Sequence, residues 1–140
     1  RLEAVVAQAA LTDTIAALPR GYETVVGEKG VILSGGQKQR VALARGLLIP
    51  GSILLLDDPI SQVDMETGRH IIEGLQPVIE SRTTLIVSHR ISALRNADRI
   101  ITMIAGRIVE EGSHAELIGM DGYYSRSYHL QEIEEDLYAN

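Results

Sequence analysis

No cysteine occurs among the 140 residues, which excludes disulfides and thiolate metal sites and leaves the redox compartment open. Positive charge is also in short supply. Thirteen Lys and Arg stand against 19 Asp and Glu, a net charge of −6, so a broad electrostatic grip on nucleic acid or anionic lipid is not expected. Any phosphate must then be held locally. Long apolar runs are missing too: GLLIPGSILLL is interrupted by Pro50, Gly51 and Ser52 and is too short to span a bilayer. Arg1 leads straight into the helical-looking LEAVVAQAAL without a secretory signal, and neither an internal repeat nor a low-complexity linker is visible. The expectation is a soluble cytoplasmic domain, and 45% hydrophobic residues suffice for one core but not for two full ones.

The elements read as follows. Leu2, Val5, Val6 and Ala9 recur at helical spacing, and Pro19-Arg20-Gly21-Tyr22 ends that helix in a turn. A helix starts at Ser34 and runs to Ile49, where Pro50-Gly51 stops it. SILLLD and TTLIVSH are short continuous apolar runs, which predicts strands buried on both faces of a parallel sheet. Between them, residues 65–80 carry Ile71, Ile72, Leu75 and Ile79 on one helical face. Ile91 to Ala97 is expected as a short helix, RIITMIAGRIVEEG as a hairpin turning at Ala105-Gly106, and SHAEL as a helix with a capping box from Ser113 to Glu116. The tail from Gly122 to Asn140 reads as a helix that frays in an acidic end. Alternating strands and helices give an α/β class with a largely parallel sheet, whose ligands gather outside the carboxyl ends of the strands. Asp57, Asp58 and His89 lie at such ends.

The chemistry concentrates in a few places. In LSGGQKQR, Ser34 opens a helix whose unpaired N–H groups and partial positive charge attract anions, and Gly35 and Gly36 allow close approach. Ser34 either caps the helix alone or also donates to a phosphate. Asp57 either holds Mg²⁺ beside nucleotide phosphates or caps a neighbouring helix. Asp58 could orient an attacking water or accept its proton, and the His89 imidazole could contact a terminal phosphate. His70, His114 and His129 read as structural, and Tyr22, Tyr123 and Tyr124 as packing residues. Asp64 reads as a helix cap before METGRHII.

LSGGQKQRVALARGLL, SILLLDD, SQVD and TTLIVSHR, in this order, resemble the signature motif, Walker B strand, D-loop and H-loop of an ATP-binding cassette (ABC) nucleotide-binding domain. TVVGEKG is similar to the loop with which ABC exporters touch their transmembrane coupling helices, which makes Glu28 and Lys29 either such contacts or plain exposed charges. The resemblance implies a P-loop NTPase-like α/β domain with a helical signature subdomain: residues 1–50 the signature part, 51–121 the catalytic core, 122–140 a helical tail. It implies ATP and Mg²⁺ as ligands, with Asp57 on the metal, Asp58 and His89 catalytic, and Asp64 at a dimer interface. Ser34, Gly35, Gly36 and Gln37 would close over ATP held by an opposing domain in a head-to-tail dimer. The implied partners are that second domain and the exporter's transmembrane domains, on the cytoplasmic side of the membrane, with no nucleic acid and no membrane insertion of this segment.

Two departures qualify the pattern. The chain lacks a GxxxxGK[ST] phosphate loop and a glutamine loop, so it corresponds to the C-terminal portion of such a domain, and the 140 residues alone should not hydrolyse ATP. Such a piece should also expose apolar edges. Asp58 stands where active members usually carry glutamate. It is one methylene shorter, and misplacement on that scale costs on the order of 10²-fold in rate. The implied reading is the subunit with the degenerate acid in a heterodimeric exporter; the alternatives are a symmetric pair in which Asp58 still works, a non-hydrolysing regulatory half-site, and a DNA-maintenance ATPase. The last would flank its motifs with coiled coils, and no heptads are present.

Overall fold

Two apolar runs lie side by side as parallel strands, β1 (Ile53–Asp57) and β2 (Thr83–Val87), in register from Ile53 opposite Thr83 to Asp57 opposite Val87. The computed structural model describes residues 1–138, which divide into two units, one spanning Arg1–Val87 and the other beginning at Ser88. In the first unit, α1 (Leu2–Gln8) packs against both α3 (Gly35–Leu48) and α4 (Met65–Glu80), the crossover between the strands. Val5, Val6 and Ala9 meet this core from the N-terminal segment, Leu43, Ala44 and Leu47 from α3, and Ile71, Ile72 and Leu75 from α4. Each of these three sets recurs at helical spacing because one stripe of each helix faces the others.

Three expectations fail here. The strands are not buried on both faces: Leu54 and Leu56 are buried, while Ile53 and Leu55 between them are 74% and 64% exposed, and Leu85 and Val87 on β2 are exposed as well. Successive strand residues point to opposite sides, so one side of the pair packs and the other lies open among the described residues. The N-terminal helix is not continuous. It ends at Gln8 and a second helix, α2 (Thr12–Ala16), follows after Ala10, whose φ is 52°. Ala10 N–H donates to Ala7 O at 3.0 Å and Leu11 N–H to Val6 O at 2.9 Å, the paired bonds of a Schellman ending, with buried Leu11 closing it. An alanine in the left-handed position, usually glycine's, hid the break. Tyr22 is exposed and does not serve the core.

In the second unit, Ile91–Ala93 is a single 3-10 turn, shorter than the helix expected to reach Ala97. The hairpin forms as expected from β3 (Ile100–Ile104) and β4 (Arg107–Gly112), with Ala105 and Gly106 at φ 49° and 74° in the turn and a bulge between Thr102 and Met103. It is a separate antiparallel sheet. Ile91, Ile100, Leu117 and Tyr124 form the core with α5 (His114–Gly119) and α6 (Tyr123–Tyr138). Tyr124 therefore packs, but Tyr123 is exposed. The helix α6 continues through the acidic residues Glu134, Glu135 and Asp136 to Tyr138; the last two residues of the expected tail lie outside the described ones. Half-buried His114 bonds through Nδ1 to the Tyr124 hydroxyl at 2.9 Å, and burial lowers its pKa and raises that of Tyr124 to about 12. Its structural role stands, whereas His70 and His129 are on the surface.

Candidate nucleotide site

Ser34 caps α3 in an extended conformation, and its Oγ accepts the Gln37 N–H at 3.2 Å while Gln37 Oε1 accepts the Ser34 N–H at 2.9 Å. Capping is therefore one job of Ser34. The box uses the N–H groups of Ser34 and Gln37 and leaves those of Gly35 and Gly36 without a partner among the described residues. Ser34 and Gly35 are exposed. The first turn of α3 holds no acidic residue. Every other α-helix has a carboxylate at its start: Glu3 on α1, Asp13 on α2, Asp64 and Glu66 on α4, Glu116 on α5, and Glu110, which accepts the N–H groups of Tyr123 and Tyr124 at 2.7 and 2.9 Å, on α6. A carboxylate there neutralises the helix dipole. At α3 no such group offsets that positive potential among the described residues.

The glycines also answer to their own chain. A Cβ on Gly36 would come 2.6 Å from Gln62 O, and one on Gly35 2.5 Å from Gln62 Oε1. The helix start thus packs directly on the segment after Pro59. Gln39, one turn past Gly35 and on the same face, donates from Nε2 to Asp58 O at 2.8 Å and Ser61 Oγ at 2.9 Å and accepts the Gln62 N–H at 2.9 Å. Sequence reasoning missed Gln39. Arg40 donates to Ala10 O and, at 3.4 Å, to Gly36 O and Thr14 Oγ1, tying α3 to the corner between α1 and α2.

Asp57 is exposed at the C-terminal end of β1, and Asp58 follows at φ 48°, with its N–H donating to Val87 O at 2.7 Å. Aspartate tolerates this left-handed geometry better than most residues. Mg²⁺ takes one or two carboxylates and completes its shell with water and phosphate oxygens, so a single strand-end carboxylate such as Asp57 suits it. Among the described residues no three His, Asp or Glu groups form a cage for an ion. Asp64 caps α4, accepting the Thr67 N–H at 2.8 Å, and that bond lowers its pKa. The structure thus brings Ser34, Gly35, Gly36 and Gln37 against the turn between Asp58 and Asp64. His89 belongs to the second unit, exposed, with its carbonyl accepting Gln131 Nε2 at 2.8 Å and Gln131 Oε1 accepting the Ile91 N–H at 2.9 Å. Glu28 and Lys29 occupy the exposed tip of a loop closed by Val31 N–H to Val25 O at 2.9 Å.

The family model described as ABC transporter matches residues 3–61. An ATP-dependent lipid A-core flippase of Pseudomonas fluorescens is 50% identical over 134 residues, 96% of this chain. The chain belongs to the ABC transporter family. Another flippase of the same name, from Paraburkholderia xenovorans, is 46% identical over 131 residues, 94% of the chain. A solved bacterial Atm1-family ABC exporter with ATP bound superposes with a TM-score of 0.84 at 42% identity, covering 94% of this chain and 23% of that one, which places the α/β architecture in the ABC ATPase fold. The chain spans 22% of the length of the two ABC transporter relatives from Pseudomonas and Paraburkholderia. No helix among its described residues is long and apolar enough to cross a membrane.

Proposed function

We propose that the chain is the C-terminal portion of the nucleotide-binding domain of an ABC exporter, which in the full-length protein couples ATP binding and hydrolysis to export from the cytoplasmic face of a membrane. The observation that carries this reading is the start of α3: among the described residues no carboxylate on the helix or from a neighbouring element serves it, and two glycine N–H groups there lack partners. Such a start suits the γ-phosphate of an ATP held by an opposing, head-to-tail domain, with Ser34, Gly35, Gly36 and Gln37 as the contact. Asp57 would hold Mg²⁺, which offsets phosphate charge. Asp58 would orient the attacking water and His89 would contact the terminal phosphate of the ATP bound on its own side. Asp64, at the head of α4, would lie along the contact between the two domains, and Glu28 and Lys29 would meet the transmembrane domains.

The shorter acid at Asp58 favours the subunit of a heterodimeric exporter whose own site is slow and whose signature completes the partner's. The relatives' name makes lipid A-core the first cargo to assay. Hydrolysis by the full-length transporter, parent against Asp58→Glu in single turnover, tests the reading. A gain of about tenfold or more supports the degenerate acid, given what small misplacements cost. No gain assigns Asp58 a competent role in a symmetric pair, and no hydrolysis by either protein removes the ATPase reading.

A further inference from the structure

We propose that Gln39 is a positioning residue whose side-chain amide fixes the Asp58 backbone and the turn after it to the start of α3, so that the two move as one piece. This deepens the ATPase reading above and rests on it. Both backbone polar groups of Asp58 are held from other elements: its N–H by Val87 O at 2.7 Å and its carbonyl by Gln39 Nε2 at 2.8 Å. With φ at 48°, these anchors set the direction in which the Asp58 side chain leaves the backbone. Gln39 uses both ends of its amide at once, because Nε2 also reaches Ser61 Oγ at 2.9 Å and Oε1 accepts the Gln62 N–H at 2.9 Å. Only glutamine combines this reach with two donors and an acceptor. Glutamate loses the donors, asparagine the reach, leucine both.

An independent contact makes the same junction rigid. Gly36 lies so close to the Gln62 backbone that even a methyl group on it would come 2.6 Å from the Gln62 carbonyl oxygen, whereas Gly35 meets only the end of the Gln62 side chain. A displacement of Ser34–Gln37, as on closing over a partner's triphosphate, is therefore passed through Gln39 and Gln62 to the Asp58 peptide.

The test uses the full-length transporter. Gln39→Leu is expected to lower the single-turnover rate at the site that Asp58 serves roughly ten- to a hundredfold, the scale of a small misplacement of a reacting group, with ATP affinity there within about twofold because ground-state binding is untouched. In an Asp58→Asn background the same substitution should cause no further loss, since the two act as a unit. Hydrogen exchange in a peptide covering residues 58–63 should accelerate in Gln39→Leu and stay near the parent's in Ser61→Ala, which keeps two of the three bonds. An unchanged single-turnover rate at the site that Asp58 serves, an equal loss in the Asp58→Asn background, or unchanged exchange at 58–63 each overturns the proposal. A parent that does not hydrolyse ATP overturns the transporter reading and the catalytic half of this one, and exchange at 58–63 still decides whether Gln39 holds the turn.

Discussion

Two helices of this chain begin with the same device and differ in its charge. Ser34-Gly35-Gly36-Gln37 starts α3 and Ser113-His114-Ala115-Glu116 starts α5, each with a serine hydroxyl accepting the N–H three residues on and that residue's side chain reaching back. In α5 the returning group is a carboxylate, and Glu116 Oε2 takes both the N–H and the hydroxyl of Ser113 at 2.7 Å. The helix supplies its own anion. In α3 the returning group is the neutral amide of Gln37, and glycines replace His114 and Ala115. The geometry of the cap is preserved while its charge is left unbalanced. The lesson is that a capping box can satisfy its backbone groups without neutralising the helix dipole when the returning side chain is uncharged.

The largest effect should come from filling the glycine wall of α3. Gly36→Ala sets a methyl group against the Gln62 backbone, which cannot swing aside, and should cut hydrolysis by the full-length protein about 10²-fold. Ala115→Gly, the converse change at the matching place in α5, should leave hydrolysis unchanged and lower helix stability by about 0.5–1 kcal/mol. Next comes the exchange of the third residues. Gln37→Glu should weaken ATP-driven closure about fivefold, from roughly 1 kcal/mol of repulsion at a helix start, without lowering thermal stability, whereas Glu116→Gln should not touch closure. If Gln37→Glu hydrolyses ATP like the parent, the distinction between the two starts has no functional content. Ser34→Ala should cost about 1 kcal/mol of stability and Ser34→Gly only a few tenths, measured by thermal unfolding; a like loss of activity in both variants would show that the hydroxyl does more than cap.

The smallest effect is on acid stability. The Ser113 bonds lower the pKa of Glu116 below its ordinary value of 4.5, so the folded state binds that proton less readily than the unfolded one. The contribution is complete above 4.5 and is lost as pH falls through the depressed value. Amide exchange at the start of α5 should accelerate over that range, and the acceleration should be absent in Glu116→Gln. The Ser34–Gln37 box contains no titrating group and should not follow.

What could be read from the chain depended on whether the signal was local. The Ser34 cap, the Ser113–Glu116 capping box, the turn at Ala105-Gly106 and the end of α3 before Pro50 are set by neighbouring residues, and all four appear where the sequence put them, while the reach of Gln37 back to Ser34 is a finding of the structure. The α/β class followed from the alternation of strand and helix. The break at Ala10 escaped because alanine occupies a position whose usual mark is glycine, and the Arg40 bond that supports it comes from 30 residues away. The open side of β1 was misjudged because a run of isoleucine and leucine reads the same whether one face or both are covered. Within the site, Ser34, Asp57 and Asp58 were visible as residue types at element ends. Gln39 was not, since its three partners lie 19 to 23 residues on and nothing in QKQR distinguishes it from a solvated helix side chain.

The uncovered side of β1 and β2 also sets terms for handling the molecule. Ile53, Leu55, Leu85 and Val87 form a greasy ribbon on two adjacent strands. A recombinant product limited to these residues would offer it to every neighbour in the tube, self-associating as concentration rises. Mild detergent should then recover the monomer by occupying that ribbon, and light scattering at two or three concentrations would reveal it before any assay is attempted.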